Sequence, residues 1–223
     1  MSVAAATMVA MQSIAAYWDA AADSFDEEAD HGLRDPGVRA AWADRLAAWL
    51  PESRADVLDL GCGTGSLSLL LAEGGRRIVG VDLAPRMVAR ARAKLAGTGA
   101  VVLVGDAARP PVGERRFDVV LARHLLWTIP EPEAALTRWA ALLRPGGRLV
   151  LVEGRWSTSS GSGEGSRRDA GMPWDGGVSA AELVAAVRLT VADLSDLRVD
   201  VLADPALWGK EIDDERYAVV AVT

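Results

Sequence analysis

A chain of 223 residues, half of them apolar, is long enough for one α/β domain with a sizeable core. Its net charge of −7 argues against extended nucleic-acid binding, which depends on Lys and Arg neutralising phosphates. No apolar run reaches the roughly 18–20 residues of a membrane helix, and one cysteine, Cys62, excludes an intrachain disulfide. A cytoplasmic protein with neither a membrane nor a nucleic-acid partner is expected.

Residues 1–50 read as an N-terminal cap of two or three helices carrying Trp18, Trp42 and Trp49 around an acidic turn, "DEEADHGLRDP". The opening residues lack a basic start, and Gln12 and Ser13 break the apolar stretch, so an amphipathic helix is a better reading than a signal peptide. Residues 51–223 read as the main domain. Short β-branched runs at Asp56–Leu60, Arg77–Asp82, Val101–Val104, Phe117–Ala122 and Arg148–Glu153 alternate with helical patterns near 65–72, 85–95 and 132–143. That alternation predicts βαβ units and a parallel sheet. Pro85 and Pro132 suit first helical turns, and "RPGG" at 144–147 turns the third helix into the next strand. The Gly/Ser-rich stretch 157–177 reads as one long loop, the usual form of a lid or binding loop. Ser179 and Glu182 form the pattern of a capping box, and "RYAVVAVT" reads as a last strand.

The informative segment is "DVLDLGCGTG", where the first strand meets the first helix. In open parallel sheets ligands bind outside the carboxyl ends of the strands, beside the first one. The glycines follow G-x-G-x-G, whereas a dinucleotide fingerprint would need a third glycine at Ser66, and the P-loop Gly-Lys-Ser/Thr is missing. Asp59 precedes the loop. A pyrophosphate at a helix N-terminus does not call for an acidic neighbour; an ammonium group does.

With that loop in view, the chain resembles the class I S-adenosylmethionine-dependent methyltransferases of small-molecule type. "VLDLGCGTG" is similar to their first motif, "IVGVDLAPRMV" to the second, "VGDAARPP" to the third, "FDVVLARHLLWTI" to the fourth, and "LLRPGGRLVLVE" to the post-motif connection. The resemblance covers residues 55–153 strongly. It implies a Rossmann-like three-layer α/β/α sandwich, with a seven-stranded, mostly parallel sheet in order 3-2-1-4-5-7-6 behind the helical cap. It also implies S-adenosyl-L-methionine as cofactor, S-adenosyl-L-homocysteine as product and no metal. The implied cofactor residues are Tyr17, Asp59, Gly61, Cys62, Gly63, Gly65, Asp82, Leu83, Met87, Asp106, Ala107 and Arg123. Asp82 would accept the ribose hydroxyls; Asp106 and Ala107 would lie at the adenine. Cys62 and Met87 read equally as packing residues. Arg123 could face cofactor, substrate or solvent.

Only two histidines occur, His31 in the cap and His124 after the fourth strand. Either could be a general base, and each could instead be a local hydrogen-bonder. With Tyr17, they are the candidates to border the transferred methyl. Trp18, Trp127, Trp156 and Trp174, with Glu153 and His31, are the candidate substrate pocket, since indole faces attract cations and planar rings. The fourth motif lacks an Asn/Asp/Ser-Pro-Pro-aromatic segment and a magnesium-ligating carboxylate. By elimination a small-molecule acceptor remains; the tryptophans suit an aromatic or amine-bearing one, methylated at O or N, and the short cap and long loop resemble methyltransferases that decorate metabolites, including natural products. A non-catalytic cofactor-binding protein and an NAD(P)-dependent oxidoreductase are the rival readings.

Overall fold

The computed structural model describes residues 3–51, 54–156 and 173–223, with residues 3–11 described by backbone alone. Seven strands form one sheet in the order β3-β2-β1-β4-β5-β7-β6. They are β1 (Asp56–Leu60), β2 (Arg77–Asp82), β3 (Val101–Val104), β4 (Phe117–Arg123), β5 (Leu143–Arg155), β6 (Asp196–Val201) and β7 (Glu215–Val222). The first five strands run parallel, and β7 is antiparallel to both β5 and β6. The order and the single reversed strand agree with the sequence-based expectation. The strand β5 starts five residues earlier than its apolar run, because Leu143 already pairs with Phe117 before the "RPGG" turn at Gly146 (φ +76°).

Successive side chains on each strand point to opposite faces, so one strand serves two cores. On one face Val57, Ile78, Val119 and Val150 pack against α3 (Pro36–Trp49) and α4 (Ser66–Glu73). Trp42, Trp49 and Leu46 of α3 belong to that cluster, which ties residues 36–50 directly to the sheet. The edge of the same face, at Val102, is covered by α5 (Pro85–Lys94) through Val88 and Ala91. On the other face Leu58, Leu60, Val120 and Leu149 meet α6 (Pro132–Ala141) and α7 (Ala180–Thr190) through Leu136, Trp139, Leu183 and Val187. Three layers result. The Ser179–Glu182 capping box starts α7 as expected. Of the stretch 157–177, residues 157–172 lie outside the described residues.

Helix α1 (Val3–Ala21) and the short α2 (Ala29–Gly32) complete the N-terminal region. The end of α1 is strapped to α5. Asp19 accepts the Arg86 N–H at 2.7 Å, and Asp23 bridges Arg86 and Arg90, both at 2.6 Å. A second tie is partly buried: Lys94 Nζ lies 2.8 Å from Asp26 Oδ2 and donates to Thr64 Oγ1 and Ser66 Oγ. Burial would raise the Asp26 carboxyl, but its bonds to Lys94 and Thr64 outweigh that and hold it below the usual range. The charges of this region therefore fasten the cap to the glycine loop.

Gly65 begins α4 at φ +81°, and a Cβ there would stand 3.0 Å from the Cβ of Ala91. It is the residue that lets α4 and α5 come together. Gly75 has a similar φ of +83° with nothing within 4 Å of the added Cβ. Left-handed backbone costs a non-glycine residue about 1–2 kcal/mol, and crowding adds to it. In urea unfolding, Gly65→Ala should lower stability by about 2–4 kcal/mol and Gly75→Ala by about half as much. Equal losses would show that the α4–α5 contact is not what requires glycine at position 65.

Candidate active site

A cavity of about 680 Å³ opens at the carboxyl ends of β1, β2 and β4, roofed by α1 and the turn at residues 25–31. Its floor is made by backbone. Gly61 and Gly63 take φ of +66° and +54°, so the chain leaves β1 without placing a side chain over the strand end. The Gly61 and Cys62 N–H groups both donate to the Val81 carbonyl, at 2.8 and 3.1 Å, folding the loop towards β2.

Three carboxylates line this end. Asp82 closes β2, and its two oxygens accept the Gly63 and Ala84 N–H groups, each at 2.9 Å. Burial nevertheless pushes its carboxyl up. Asp59 lies on the α4 face of β1, accepts from Ser68 Oγ at 2.5 Å, and is raised to about 6 by burial and by the charge of Asp82. Asp106 accepts the Ala108 N–H at 2.8 Å, while the neighbouring Ala107 carbonyl accepts Trp139 Nε1. Cys62 is buried, its thiol pushed well up by burial and by the charges of Asp59 and Asp82. It fills the space left by Gly80, whose added Cβ would meet its sulfur at 3.0 Å. That is a packing role.

The donor set fits a phosphate-free cofactor. The Gly63 N–H, which a phosphate would require, is already spent on Asp82. Two buried carboxylates held partly against their charge would be relieved by a cation and strained by an anion. Gly61, Cys62, Gly63, Asp59, Asp82, Leu83, Met87, Asp106, Ala107 and Arg123 all line the cavity. Gly65 does not, because it is engaged with α5.

The other end is aromatic. Trp18 and Trp127 stand 6.4 Å apart, Trp127 and Trp156 5.8 Å, and Trp156 and His124 5.4 Å, all steeply inclined. Phe25 stacks on His31 with centroids 4.4 Å apart and planes 7° from parallel. His31 Nε2 lies 3.7 Å from Asp30 Oδ2. Asp30 is buried, and its carboxylate is bound by Arg123, which also donates to the Asp30 carbonyl at 2.7 Å. Arg123 is itself laid over Trp42 at 4.4 Å. Asp30, His31 and His124 present ligand atoms within 4.8 Å of one another. A metal ion would have to displace Arg123 from the only carboxylate of that group.

His124 follows β4 in left-handed backbone, φ +51°, unusual for a residue with a side chain. Burial, then Arg123, Arg216 and His31, push its imidazole well below the usual range. Its Nε2 is buried and has no hydrogen-bond partner among the described residues.

Four sequence-selected residues sit elsewhere than expected. Helix α1 turns Ile14 and Trp18 to the cavity, while Tyr17 lies against the edge of Trp18 at 4.8 Å and does not line it. Phe25, further along the same N-terminal region, does. Glu153 is wholly buried behind the wall, where Oε1 accepts the Leu125 and Leu126 N–H groups, both at 2.9 Å. It shapes the loop after β4 and does not line the cavity. Trp174 packs on the α6–α7 side of the core, and Gly65 on α5. Sequence reading missed Asp30, whose only signal was its place beside His31 in an acidic turn. It missed Trp208 and Arg216 as well, which nothing local marks.

Residues 58–151 match the family profile described as "Methyltransferase domain". An uncharacterized methyltransferase of Mycobacterium tuberculosis is 40% identical over 121 residues, 54% of this chain and 47% of the relative. Nocamycin O-methyltransferase of Saccharothrix syringae is 40% identical over 108 residues, 46% of this chain and 39% of the relative. The chain spans about half the length of the curated relatives it matches. Among solved structures, an N-methyltransferase from Bradyrhizobium japonicum in complex with S-adenosyl-L-homocysteine superposes with a TM-score of 0.65 at 18% identity, covering 92% of this chain and 98% of that one. That likeness concerns the fold.

Burial raises the Glu153 carboxyl from 4.5 to about 7, against the pull of its two backbone donors. A folded value above the unfolded one means that protonation stabilises the fold. The contribution is complete below pH 4.5 and is lost as pH rises through 7. Between pH 5 and 8, Glu153→Gln should remove a decline of on the order of 3 kcal/mol from the urea-unfolding profile, the contributions of Asp59, Asp82 and His124 being common to both proteins. Parallel wild-type and variant profiles would show that Glu153 carries no raised pKa.

Proposed function

We propose that this chain is a class I S-adenosylmethionine-dependent methyltransferase that transfers a methyl group from S-adenosyl-L-methionine to a hydroxyl oxygen of a small planar acceptor. The observation that carries the reading is the pairing, in one cavity, of a carboxylate-lined end with an aromatic end that holds both histidines. When bound, the cofactor supplies an electrophilic methyl group on a sulfonium, without phosphate.

Each part of the chain then has a task. Asp59 accepts the ammonium of the amino-acid end, an arrangement that lowers its raised pKa. Asp82 keeps a lone pair on each oxygen for the ribose hydroxyls while its other contacts fix the loop. Ala107 and Met87 give the adenine an apolar slot, and Asp106 lies at its polar edge.

At the aromatic end Trp18, Trp127 and Trp156 hold a flat ring by its faces and edges. The two histidines divide the proton work. His31 takes the hydroxyl proton, and Asp30, close to its Nε2, stabilises the imidazolium that results. Arg123 keeps that carboxylate in place. His124 stays neutral and offers its unpartnered Nε2 as a hydrogen-bond acceptor that aims the hydroxyl. An ammonium acceptor is less well served here, since the buried carboxylate at this end, Asp30, is already committed to Arg123. The name of the nocamycin relative also specifies oxygen. Orientation of the acceptor within such a cavity can supply about 7–11 kcal/mol of a bimolecular barrier.

Two experiments test this. Calorimetric titration with S-adenosyl-L-methionine, S-adenosyl-L-homocysteine and NADH should give binding of the first two alone. Asp82→Ala should weaken it by about 10- to 100-fold, the worth of a charge-assisted bond. Binding of NADH instead would favour the oxidoreductase reading and overturn this one. With a phenolic acceptor found by screening, His31→Gln should lower kcat by about 10²- to 10⁴-fold with little change in cofactor affinity. Retained kcat would remove His31 from the reaction, and absence of turnover with any acceptor despite cofactor binding would leave a non-catalytic binding protein.

A further inference from the structure

Behind the aromatic wall, two side chains that do not line the cavity are stacked on one that does. Trp208 lies face to face with the His124 imidazole, centroids 5.8 Å apart and planes 9° from parallel. The Arg216 guanidinium carbon lies over the Trp208 ring at 4.5 Å. Neither partner is free to wander. Trp208 is 1% exposed, donates Nε1 to the Leu202 carbonyl at 2.9 Å and meets Trp42 edge-on at 5.5 Å. Arg216 is gripped by both oxygens of Asp214, at 2.7 and 2.9 Å. Its cross-strand partner is Gly154, where a Cβ would come within 3.3 Å of the arginine Cδ. A glycine next to the end of β5 thus leaves room first for the Glu215 carbonyl, 2.5 Å from that Cβ, and then for the arginine stem.

We infer that Trp208 and Arg216 are positioning residues for His124, fixing the plane of its ring and presenting positive charge to it from outside the cavity. The inference rests on His124 as the group that aims the acceptor hydroxyl. Tilting the ring out of its plane would lose the stack, so the plane in which its nitrogens lie is set by packing. The charged groups around the ring come from four elements. Arg123 is on β4 and Arg216 on β7; Asp30 and His31 are in the cap; Glu153 is on β5, with one oxygen turned to the Leu125 and Leu126 N–H groups. Asp214 is held by Arg216. Apart from burial, the influences that lower the His124 pKa are Arg123, Arg216 and His31. Such an imidazole accepts a hydrogen bond at neutral pH and is not lost to protonation as the medium turns mildly acidic.

With two histidines in the chain, the test is direct. The protein labelled with ¹³C and ¹⁵N in histidine shows two imidazole spin systems, assigned by His31→Gln, and each is followed through pH. Arg216→Met should raise the His124 midpoint by about half to one pH unit. Because that change leaves Asp214 buried and unpaired, Asp214→Asn/Arg216→Met is titrated beside it and should move the midpoint in the same direction. Trp208→Phe, which keeps a ring in place, should shift the His124 ring protons downfield through the weaker ring current, leaving those of His31 unmoved. An unchanged midpoint in both arginine variants, or His124 protons that ignore Trp208→Phe, would overturn the inference. These readouts need no turnover, so they stand apart from the proposed reaction. If the midpoint rises but the acidic limb of kcat does not follow it, the stack is upheld and the part given to His124 in catalysis is withdrawn.

Discussion

Asp82 holds two loops at once. One oxygen takes the N–H of Gly63 from the loop after β1, and the other takes the N–H of Ala84 from the loop after β2. Everything at the carboxyl edge of the sheet is arranged around that carboxylate. The glycine loop must bend over it, which demands positive φ at Gly61 and Gly63. The bend brings α4 back close enough for Ser68 to reach Asp59. Burial opposes the arrangement by raising both carboxyls, and backbone and hydroxyl donors offset the cost only in part. A site left with excess negative charge in a low-dielectric cleft is predisposed to a cationic ligand group.

The cap answers this edge with charges of its own. Asp19 and Asp23 meet arginines of α5 at the exposed rim, whereas Asp26 meets Lys94 at depth beside Thr64. Rim pairs of this kind contribute little to stability and weaken with salt. The deeper one orders the segment that carries Phe25 and His31. The cap is thereby registered to the cofactor end of the cavity through ionic contacts and to the acceptor end through aromatic ones. Phe25 and His31 thus take positions that the glycine loop helps to set.

The sheet was legible because its information is local. Short β-branched apolar runs gave β1, β2 and β3 to the residue, and Pro85 and Pro132 marked two helix starts. The cofactor end was legible for a related reason: its residues follow strand ends, and strand ends can be read. The acceptor end was not. Whether Tyr17 or Trp18 faces the cavity depends on the roll of α1 against α5, which a weakly amphipathic Ala-rich helix does not declare. Glu153 ends an apolar run on the active edge, yet the loop after β4 folds down onto it and claims its oxygen. Trp208 and Arg216 are some 84 and 92 positions from His124 in the chain, and only the antiparallel return of β7 beside β5 brings them near. A strand glycine at 154 was the sole visible trace of that approach.

The two histidines show how identical side chains acquire different chemistry from their neighbours. His31 is set against a carboxylate, so a proton it gains is met by negative charge. His124 is enclosed by aromatic faces with arginines beyond, so a proton on it would be met by repulsion and by poor solvation. The first sets a carboxylate beside the ring; the second favours remaining a neutral acceptor of a hydrogen bond. Arg123 links the two. It binds Asp30 on the His31 side, raises the cost of charging His124 on the other, and is held between them by the Trp42 face. Moving this one guanidinium would alter the surroundings of both histidines together. Losing it would leave Asp30 buried without its cation and relieve His124 of a repulsive charge. The surroundings of both histidines thus depend on one residue, which the Trp42 face holds from outside the lining of the pocket.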